Sequence, residues 1–272
     1  MDVKVTGATR LMVVIGDPIV QARTPAVINP IFAARDADIV CLPLHIRAED
    51  LAAAWAGLKA MQNVVGIGVT LPHKVAVLDL CDRLDPLAET VGACNIVRRE
   101  PDGVLRGYQY DGAGFVTGLT NRGVTLEGRD CLMLGAGGAA TGIAYALLKA
   151  GVSRLTVANR TVANAETLVA KMNGLFGGNR THVGAPAPRA GQLIVNATSL
   201  GLRPTDPLPT PFDGLEPGME VAEVIAQPEF TPLLEAARAR GLAVYSGMEM
   251  IHGQATAIAD LLCDVWCRPE TD

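Results

Sequence analysis

The strongest constraint on this chain lies near its middle, where the apolar run Cys131 to Leu134 meets the cluster Gly135, Ala136, Gly137, Gly138 and then a helix-like segment reaching Lys149. Gly151 stops that segment and Leu155 to Ala158 reads as the next buried strand, which predicts one βαβ unit. Glycines between a strand and a helix let the backbone approach a pyrophosphate at the helix N-terminus, where open amides and the helix dipole favour an anion. Ala140 takes the place of the third glycine of the usual GxGxxG spacing and keeps the helix close to its strand. A plain tight turn is the competing reading.

The end of the next strand narrows the ligand. An NAD-binding protein usually places a carboxylate there to accept hydrogen bonds from the ribose. Here Asn159, Arg160 and Thr161 stand instead. A carboxylate would repel a ribose phosphate, whereas an amide, a guanidinium and a hydroxyl can donate to it. The residues therefore favour NADP over NAD. The same three can build a helix cap with a solvated Arg, and the two readings are compatible. Farther on, Asn196, Ala197, Thr198 and Ser199 follow a predicted strand, Gln192 to Asn196, where they either face a cofactor crevice or cap the next segment.

Around this unit the chain alternates. In the first hundred residues strand-like runs at Leu11 to Ile15, Ile39 to Leu44 and Gly66 to Thr70 alternate with helical segments at Pro25 to Arg35 and Ala48 to Met61. Asp102 and Gly103 sit between Asn95 to Arg98 and Val104 to Tyr108, which is a hairpin signal. Beyond the βαβ unit come a helix from Ala163 to Met172, a Gly- and Pro-rich stretch from Gly174 to Ala190 read as a loop, and a strand from Met219 to Ile225. A last helix, Gln254 to Trp266, follows a Gly247 to Gly253 segment and is expected to return to the first unit.

The fold class is thus α/β in two domains. A mainly parallel N-terminal α/β domain, expected to carry the substrate, spans 1–110 with a returning helix from 246–272. A Rossmann-type, NADP-binding domain spans 111–245, with the cleft expected between the two. A length of 272 residues with 49% hydrophobic content is enough for two buried cores.

Charge and cysteines exclude several classes. A net charge of −5 gives no basic footprint, so neither nucleic acid nor an anionic membrane surface is an expected partner. A small molecule fits better, bound by a monomer or a homodimer. The six cysteines are scattered without a CxxC pair and the four histidines are dispersed, so the thiols read as free in a reducing compartment and no metal is assigned. No apolar run reaches the roughly 18 residues of a membrane span or resembles a leader peptide, so a cytoplasmic protein is expected.

One candidate for acid–base chemistry stands out in the first unit. Val69, Thr70, Leu71, Pro72, His73 and Lys74 run from a strand toward a predicted helix start, which places Lys74 at a strand's carboxyl end. Asp111, in the Gly107 to Gly114 loop, is the best acidic partner. A Lys held by an Asp can move a proton to or from a hydroxyl while a hydride leaves or joins the same carbon. A surface Lys is the ordinary alternative.

Taken in order, these motifs resemble the shikimate dehydrogenase family over nearly the whole chain. The resemblance is carried by Gly16-Asp17-Pro18-Ile19, Val69 to Lys74, Gly92-Ala93-Cys94-Asn95 and Asp111-Gly112-Ala113-Gly114-Phe115. It continues through Gly135 to Gly138, Asn159-Arg160-Thr161, Asn196 to Ser199, Thr231-Pro232-Leu233-Leu234 and Gly247-Met248 followed by Gln254-Ala255. It implies a reversible oxidation of the C3 hydroxyl of shikimate, or a relative, to a ketone with NADP. Lys74 and Asp111 match the catalytic pair, and Ala22, Thr24, Thr70, Asn95 and Gln254 match substrate-binding positions. Gly135, Ala136, Gly137, Gly138, Ala139, Asn159, Arg160, Thr161, Asn196, Thr198, Ser199 and Gly247 match cofactor-binding positions.

The departures from the family pattern cluster on the substrate. Where the family usually shows His-Ser-x-Ser-Pro, this chain reads Gln21-Ala22-Arg23-Thr24-Pro25, so one carboxylate-binding hydroxyl is gone at Ala22 and Thr24 keeps the other. Gly68 replaces a usual Asn, Gln109-Tyr110 replaces Asn-Thr, and Ala226 stands where a Tyr is usual. Losing a donor to a buried polar group costs about 1 to 3 kcal/mol, so several changes together can redirect substrate choice. Arg23 and Tyr110 are available to compensate. The resemblance leaves room for the same chemistry on a quinate-like or amino-substituted analogue, and for a non-catalytic sensor that binds NADP and a metabolite.

Overall fold

Alternation along the first strand sets the layers of the N-terminal unit. In the computed structural model, which describes residues 5–267, β1 (Arg10–Gly16) points Val13 and Ile15 to one face and Met12 and Val14 to the other, all buried. Helix α1 (Thr24–Ala34) covers the second face with Ile28 and Phe32, and its Pro25 suits the first turn, where an amide hydrogen has no partner to lose. Helix α2 (Leu51–Ala60) covers the first face with Leu51, Trp55 and Leu58, spaced for one stripe of a helix.

Strands β2 (Ile39–His45) and β3 (Val64–Val69) flank β1 in parallel. After β3 the chain makes tight turns into a 3₁₀ helix at Ala76–Leu80, not the α-helix expected after Lys74. Strand β4 (Arg83–Leu84), helix α3 (Pro86–Val91) and the hairpin of β5 (Ile96–Arg99) and β6 (Leu105–Tyr108) complete a sheet of order β2-β1-β3-β5-β6-β4. The hairpin follows the Asp102-Gly103 signal, with Gly103 at a φ of 84°.

The second unit begins with α4 (Asp111–Asn121), where a loop was expected. Its glycines, Gly112, Gly114 and Gly118, depress helix propensity locally. They are what its packing requires. A Cβ at Gly112 would strike the Gly142 carbonyl and one at Gly118 the Glu249 carbonyl, so neighbouring helices lie backbone to backbone against α4. There follow β7 (Asp130–Leu134), α5 (Gly138–Lys149), β8 (Arg154–Ala158), α6 (Val162–Phe176) and β9 (Thr181–Val183). Then come β10 (Leu193–Asn196), β11 (Glu220–Glu223), α7 (Pro232–Ala239) and β12 (Ala243–Tyr245).

All six strands are parallel, in the order β12-β11-β10-β7-β8-β9. The chain therefore builds outward from β7 in one direction and from β10 in the other, which makes the carboxyl ends of β7 and β10 the switch point where such sheets hold ligands. Cys131 and Met133 face α4, α5 and α6, while Leu132 and Leu134 face α7.

Two expectations change here. The 174–190 stretch is not all loop, since α6 runs through Phe176 and β9 forms an edge strand; three residues are too few for a period to register in sequence. The last helix, α8 (Gly247–Trp266), starts at Gly247, so the expected Gly247 to Gly253 segment is helical. The chain divides into 1–110 with 254–272, and 111–253, so the return to the first unit falls at Gln254 and not at Ser246. The reason is packing: Glu249, Met250 and Gly253 lie against the second unit, whereas Ile258, Ala259 and Leu262 cover the first sheet.

Gly118→Ala is expected to cost about 1 to 3 kcal/mol, the usual penalty of overpacking, and to lower the melting temperature by several degrees. Gly137→Ala, at a position with open space around its missing Cβ, is the control for thermal melting.

Candidate active site

In the first unit the loops after β1 and β3 are forced together. Gly16 ends β1, and a Cβ there would strike the Thr70 methyl group and stand 3.0 Å from the Leu71 carbonyl, so glycine lets the two strand ends lie close. Asp17 N donates to the Leu71 carbonyl at 2.8 Å and Thr70 N to the Ile15 carbonyl at 2.9 Å. Beside them the start of β5 is tied in: Val69 N donates to the Asn95 carbonyl and Cys94 N to the Lys74 carbonyl, each at 2.8 Å. Lys74 is thus held by its backbone at a strand end, with its side chain only 9% exposed.

The Asn95 carboxamide is fixed from both sides. Its Oδ1 accepts from Tyr110 N at 2.6 Å and its Nδ2 donates to Gln254 Oε1 at 2.8 Å, all in buried surroundings. Thr70, Lys74, Asn95 and Gln254 therefore assemble at one end of the first sheet, although Gln254 comes from α8. Thr24 opens α1, and Ala22 N donates to the Ile19 carbonyl in the turn before it. Ala22, like Ile19 and Tyr110, is partly buried against the apolar core that contains Phe32.

Two features here were not anticipated. His73 is buried, with Nε2 2.7 Å from the Ile46 carbonyl, and serves structure. Asp17 and His45, at the ends of β1 and β2, pair at 2.7 Å and stay partly exposed. Among the described residues no cluster of His, Cys, Asp or Glu is arranged to hold a metal.

In the second unit Asp111 is the first residue of α4 and is 2% exposed. Gly135 leaves β7 with a φ of 112°, a left-handed conformation that L side chains rarely adopt. Its missing Cβ would lie 2.9 Å from the Ala197 carbonyl, so the glycine loop and the turn after β10 touch at the switch point. Gly137 is the N-cap of α5; no side chain caps that end and no acid stands in its first turn. Gly138 and Ala139 begin the helix, and Ala136 is half-buried.

At the end of β8, Asn159 Nδ2 donates to the Thr161 carbonyl at 2.8 Å and shapes the turn. Thr161 is the N-cap of α6 but its hydroxyl makes no cap bond, and no acid lies in that first turn. The cap allowed by the sequence is therefore not built by Thr161, while Arg160 and Thr161 are exposed. A phosphate-bearing dinucleotide fits these residues: two helix N-termini without acids, a glycine loop with space above it, and a guanidinium in place of a carboxylate.

The side chain of Asn196 points inward, fully enclosed. Its Nδ2 donates to Glu223 Oε1 at 2.8 Å and to the Leu200 carbonyl at 3.1 Å, and its Oδ1 accepts from Thr198 N and Thr198 Oγ1. Asn196 and Thr198 therefore shape the turn, and Ser199 is its exposed member. Gly247 donates its N–H to the Ile225 carbonyl at 2.8 Å, and a Cβ there would strike the Val224 carbonyl. Sequence reasoning missed Glu223. The signal was a carboxylate inside a run read as a buried strand, a place that demands partners.

Comparison with known proteins accords with this geometry. Residues 14–97 match the shikimate dehydrogenase substrate binding domain and residues 119–177 match the shikimate / quinate 5-dehydrogenase family. A shikimate dehydrogenase (NADP(+)) of Rubrobacter xylanophilus is 42% identical over 254 residues, covering 91% of this chain and 88% of that one. The ligand-free 5-ketofructose reductase of Gluconobacter sp. strain CHM43 superposes with a TM-score of 0.79 at 32% identity, covering 94% and 93% of the two chains. The shikimate 5-dehydrogenase of Thermus thermophilus, solved with NADP(H) and shikimate, gives a TM-score of 0.83 at 28% identity, covering 95% of each. A sheet with this switch point and these loops defines a dinucleotide-dependent oxidoreductase. The chain belongs to the shikimate dehydrogenase family.

Burial pushes the Glu223 carboxyl up to about 7, because its two partners, Asn196 and Thr231, are neutral. Its ordinary value is 4.5, so between the two the folded state binds more protons than the unfolded chain. The stability this group contributes is fully present below 4.5 and is lost as the pH rises through 7. Glu223→Gln removes that dependence. In calorimetry across this window the variant should gain on its parent as the pH rises, by an amount on the order of 3 kcal/mol in all; a constant difference would contradict the assignment.

Proposed function

We propose that this chain transfers hydride reversibly between NADP and the C3 hydroxyl of shikimate, or of a closely related cyclic hydroxy acid. One arrangement carries the reading: Thr70, Lys74 and Asn95, joined by the distant Gln254, lie at one end of the first sheet, where the Cys94 to Lys74 and Asn95 to Gln254 hydrogen bonds are each 2.8 Å long. The proton-transfer pair is Lys74 with Asp111. A substrate hydroxyl proton passes to or from Lys74 Nζ, with the Asp111 carboxylate favouring the ammonium form. Thr70, Asn95 and Gln254 offer a hydroxyl and two amides to the substrate's hydroxyls, and Thr24 offers a hydroxyl to its carboxylate.

NADP, when bound, supplies the hydride acceptor. The amides at the start of α5 would hold its pyrophosphate, and Arg160, Thr161 and Asn159 would hold its ribose phosphate. The low residual exposure of Lys74 keeps water from competing for the proton.

A second reading keeps the chemistry and changes the substrate. Ala22 lies against the apolar core that contains Phe32, where the family pattern has a hydroxyl, so the hold on a carboxylate is weaker by one donor. The 32% identical Gluconobacter reductase makes a neutral polyhydroxylated ketone the natural competitor.

The test follows NADPH absorbance with shikimate and quinate in the oxidising direction and with 5-ketofructose in the reducing one. Lys74→Ala and Asp111→Asn should each lower kcat about 10²- to 10⁴-fold with NADP binding retained. Arg160→Ala should raise the KM for NADP about tenfold and leave that for NAD nearly unchanged. Turnover confined to 5-ketofructose selects the second reading. No turnover with any of the three, together with metabolite binding indifferent to Lys74→Ala, would overturn both and leave a sensor.

A further inference from the structure

Glu223 touches no residue assigned to the substrate, yet it joins the segments that frame the cofactor crevice. It ends β11 beside Asn196 of β10, its register partner, and is fully enclosed. Oε1 accepts from Asn196 Nδ2, and Oε2 accepts from Thr231 Oγ1 at 2.7 Å. The same Asn196 amide reaches the Leu200 carbonyl and both donors of Thr198, while Thr198 Oγ1 accepts from Leu200 N at 3.0 Å. The 196–200 turn therefore takes its shape from an amide that Glu223 holds together with the Thr198 N–H and the Leu200 carbonyl. With a Glu223 oxygen accepting, the Asn196 NH₂ group faces Glu223 and the Leu200 carbonyl, and its oxygen faces Thr198.

The consequence reaches the glycine loop. The Ala197 carbonyl lies 2.9 Å, and the Thr198 methyl group 3.1 Å, from where a Gly135 Cβ would stand. The 197–200 turn therefore lies close against the glycine loop, and a displaced turn alters the surface on which that loop rests. Thr231, the other partner, caps α7 through Leu234 N and lies 3.1 Å from the missing Cβ of Gly201. A buried carboxylate with only neutral donors is a costly way to secure a sheet edge, since an apolar pair of equal volume would serve stability as well. What an apolar pair lacks is control over the direction of the Asn196 amide.

We propose that Glu223 is a positioning residue for the cofactor crevice, setting the affinity for NADP through Asn196 and the 197–200 turn without acting on the substrate. The inference rests on the reading that this crevice takes NADP.

Its test measures NADP dissociation constants by titration calorimetry, and the KM of each substrate, in the full chain with Glu223→Gln, Glu223→Ala and Arg160→Ala. In Glu223→Gln the new amide can donate to Thr231 while its oxygen still accepts from Asn196, so NADP affinity should stay within about threefold of the parent. Glu223→Ala should bind NADP about tenfold more weakly, with the KM of the alcohol substrate changed less than about twofold. If the alanine variant does not fold, Thr231→Val removes one of the two bonds and should weaken NADP binding about threefold. Unchanged NADP affinity in a folded Glu223→Ala, or in Thr231→Val where that variant replaces it, overturns the inference. So does an equal loss in Glu223→Gln and Glu223→Ala, which would assign the effect to charge. Weak binding in Arg160→Ala alone sinks this inference and leaves the cofactor reading standing; normal binding in Arg160→Ala sinks the cofactor reading itself.

Discussion

Both units depend on a close approach of backbone to backbone at the ends of parallel strands. Parallel strands deliver their following loops to the same edge of a sheet, where those loops compete for space. Glycine stands at the points of contact: Gly16 against the Leu71 carbonyl, Gly135 against that of Ala197 and Gly247 against that of Val224. Each contact brings a polar turn next to another strand's end. The residues proposed for the site are thereby drawn to strand ends, with Lys74, Asn95, Asp111 and Asn196 buried and Arg160 and Thr161 exposed.

Burial of polar groups is the second half of the same design. Arg99 shows what such a group does when it serves structure alone. Its guanidinium is 3% exposed and donates to the carbonyls of Leu58, Lys59, Met61, Val64 and Gly103, closing the end of α2 onto β3 and the hairpin. Every donation there goes to a backbone carbonyl, so nothing is left to choose a ligand. Asn95, Gln254, Asn196 and Glu223 differ because side chain bonds to side chain, and the orientation of one amide decides what its neighbour presents.

Much of the fold was legible in the order of the chain. The βαβ unit around Gly135, the hairpin at Asp102-Gly103 and the strands β1 to β3 follow from local period and turn chemistry, which act over a few residues. Helix α4 was not legible, because its three glycines argue against a helix until Gly142 and Glu249 are brought alongside. The edge strands β9 and β12 are three residues each, shorter than any recognisable alternation. Glu223 was hidden for another reason. Nothing in Met219 to Ile225 indicates that Asn196 lies beside it and Thr231 beneath it.

What the sequence by itself determined is the side chains on offer: a glycine cluster between a strand and a helix, Arg160 after the next strand, Lys74 after a strand, and Ala22 where the family resemblance implies a hydroxyl. These are properties of single residues and short spacings, set by side-chain identity and backbone sterics. Only the tertiary structure decided which groups meet. Asn95 and Gln254 lie 159 positions apart and bond at 2.8 Å, and the amide of Asn196 turns toward Glu223 and away from solvent. The physical reason is that such meetings follow from sheet order and helix packing, and those depend on the whole buried surface of each unit at once.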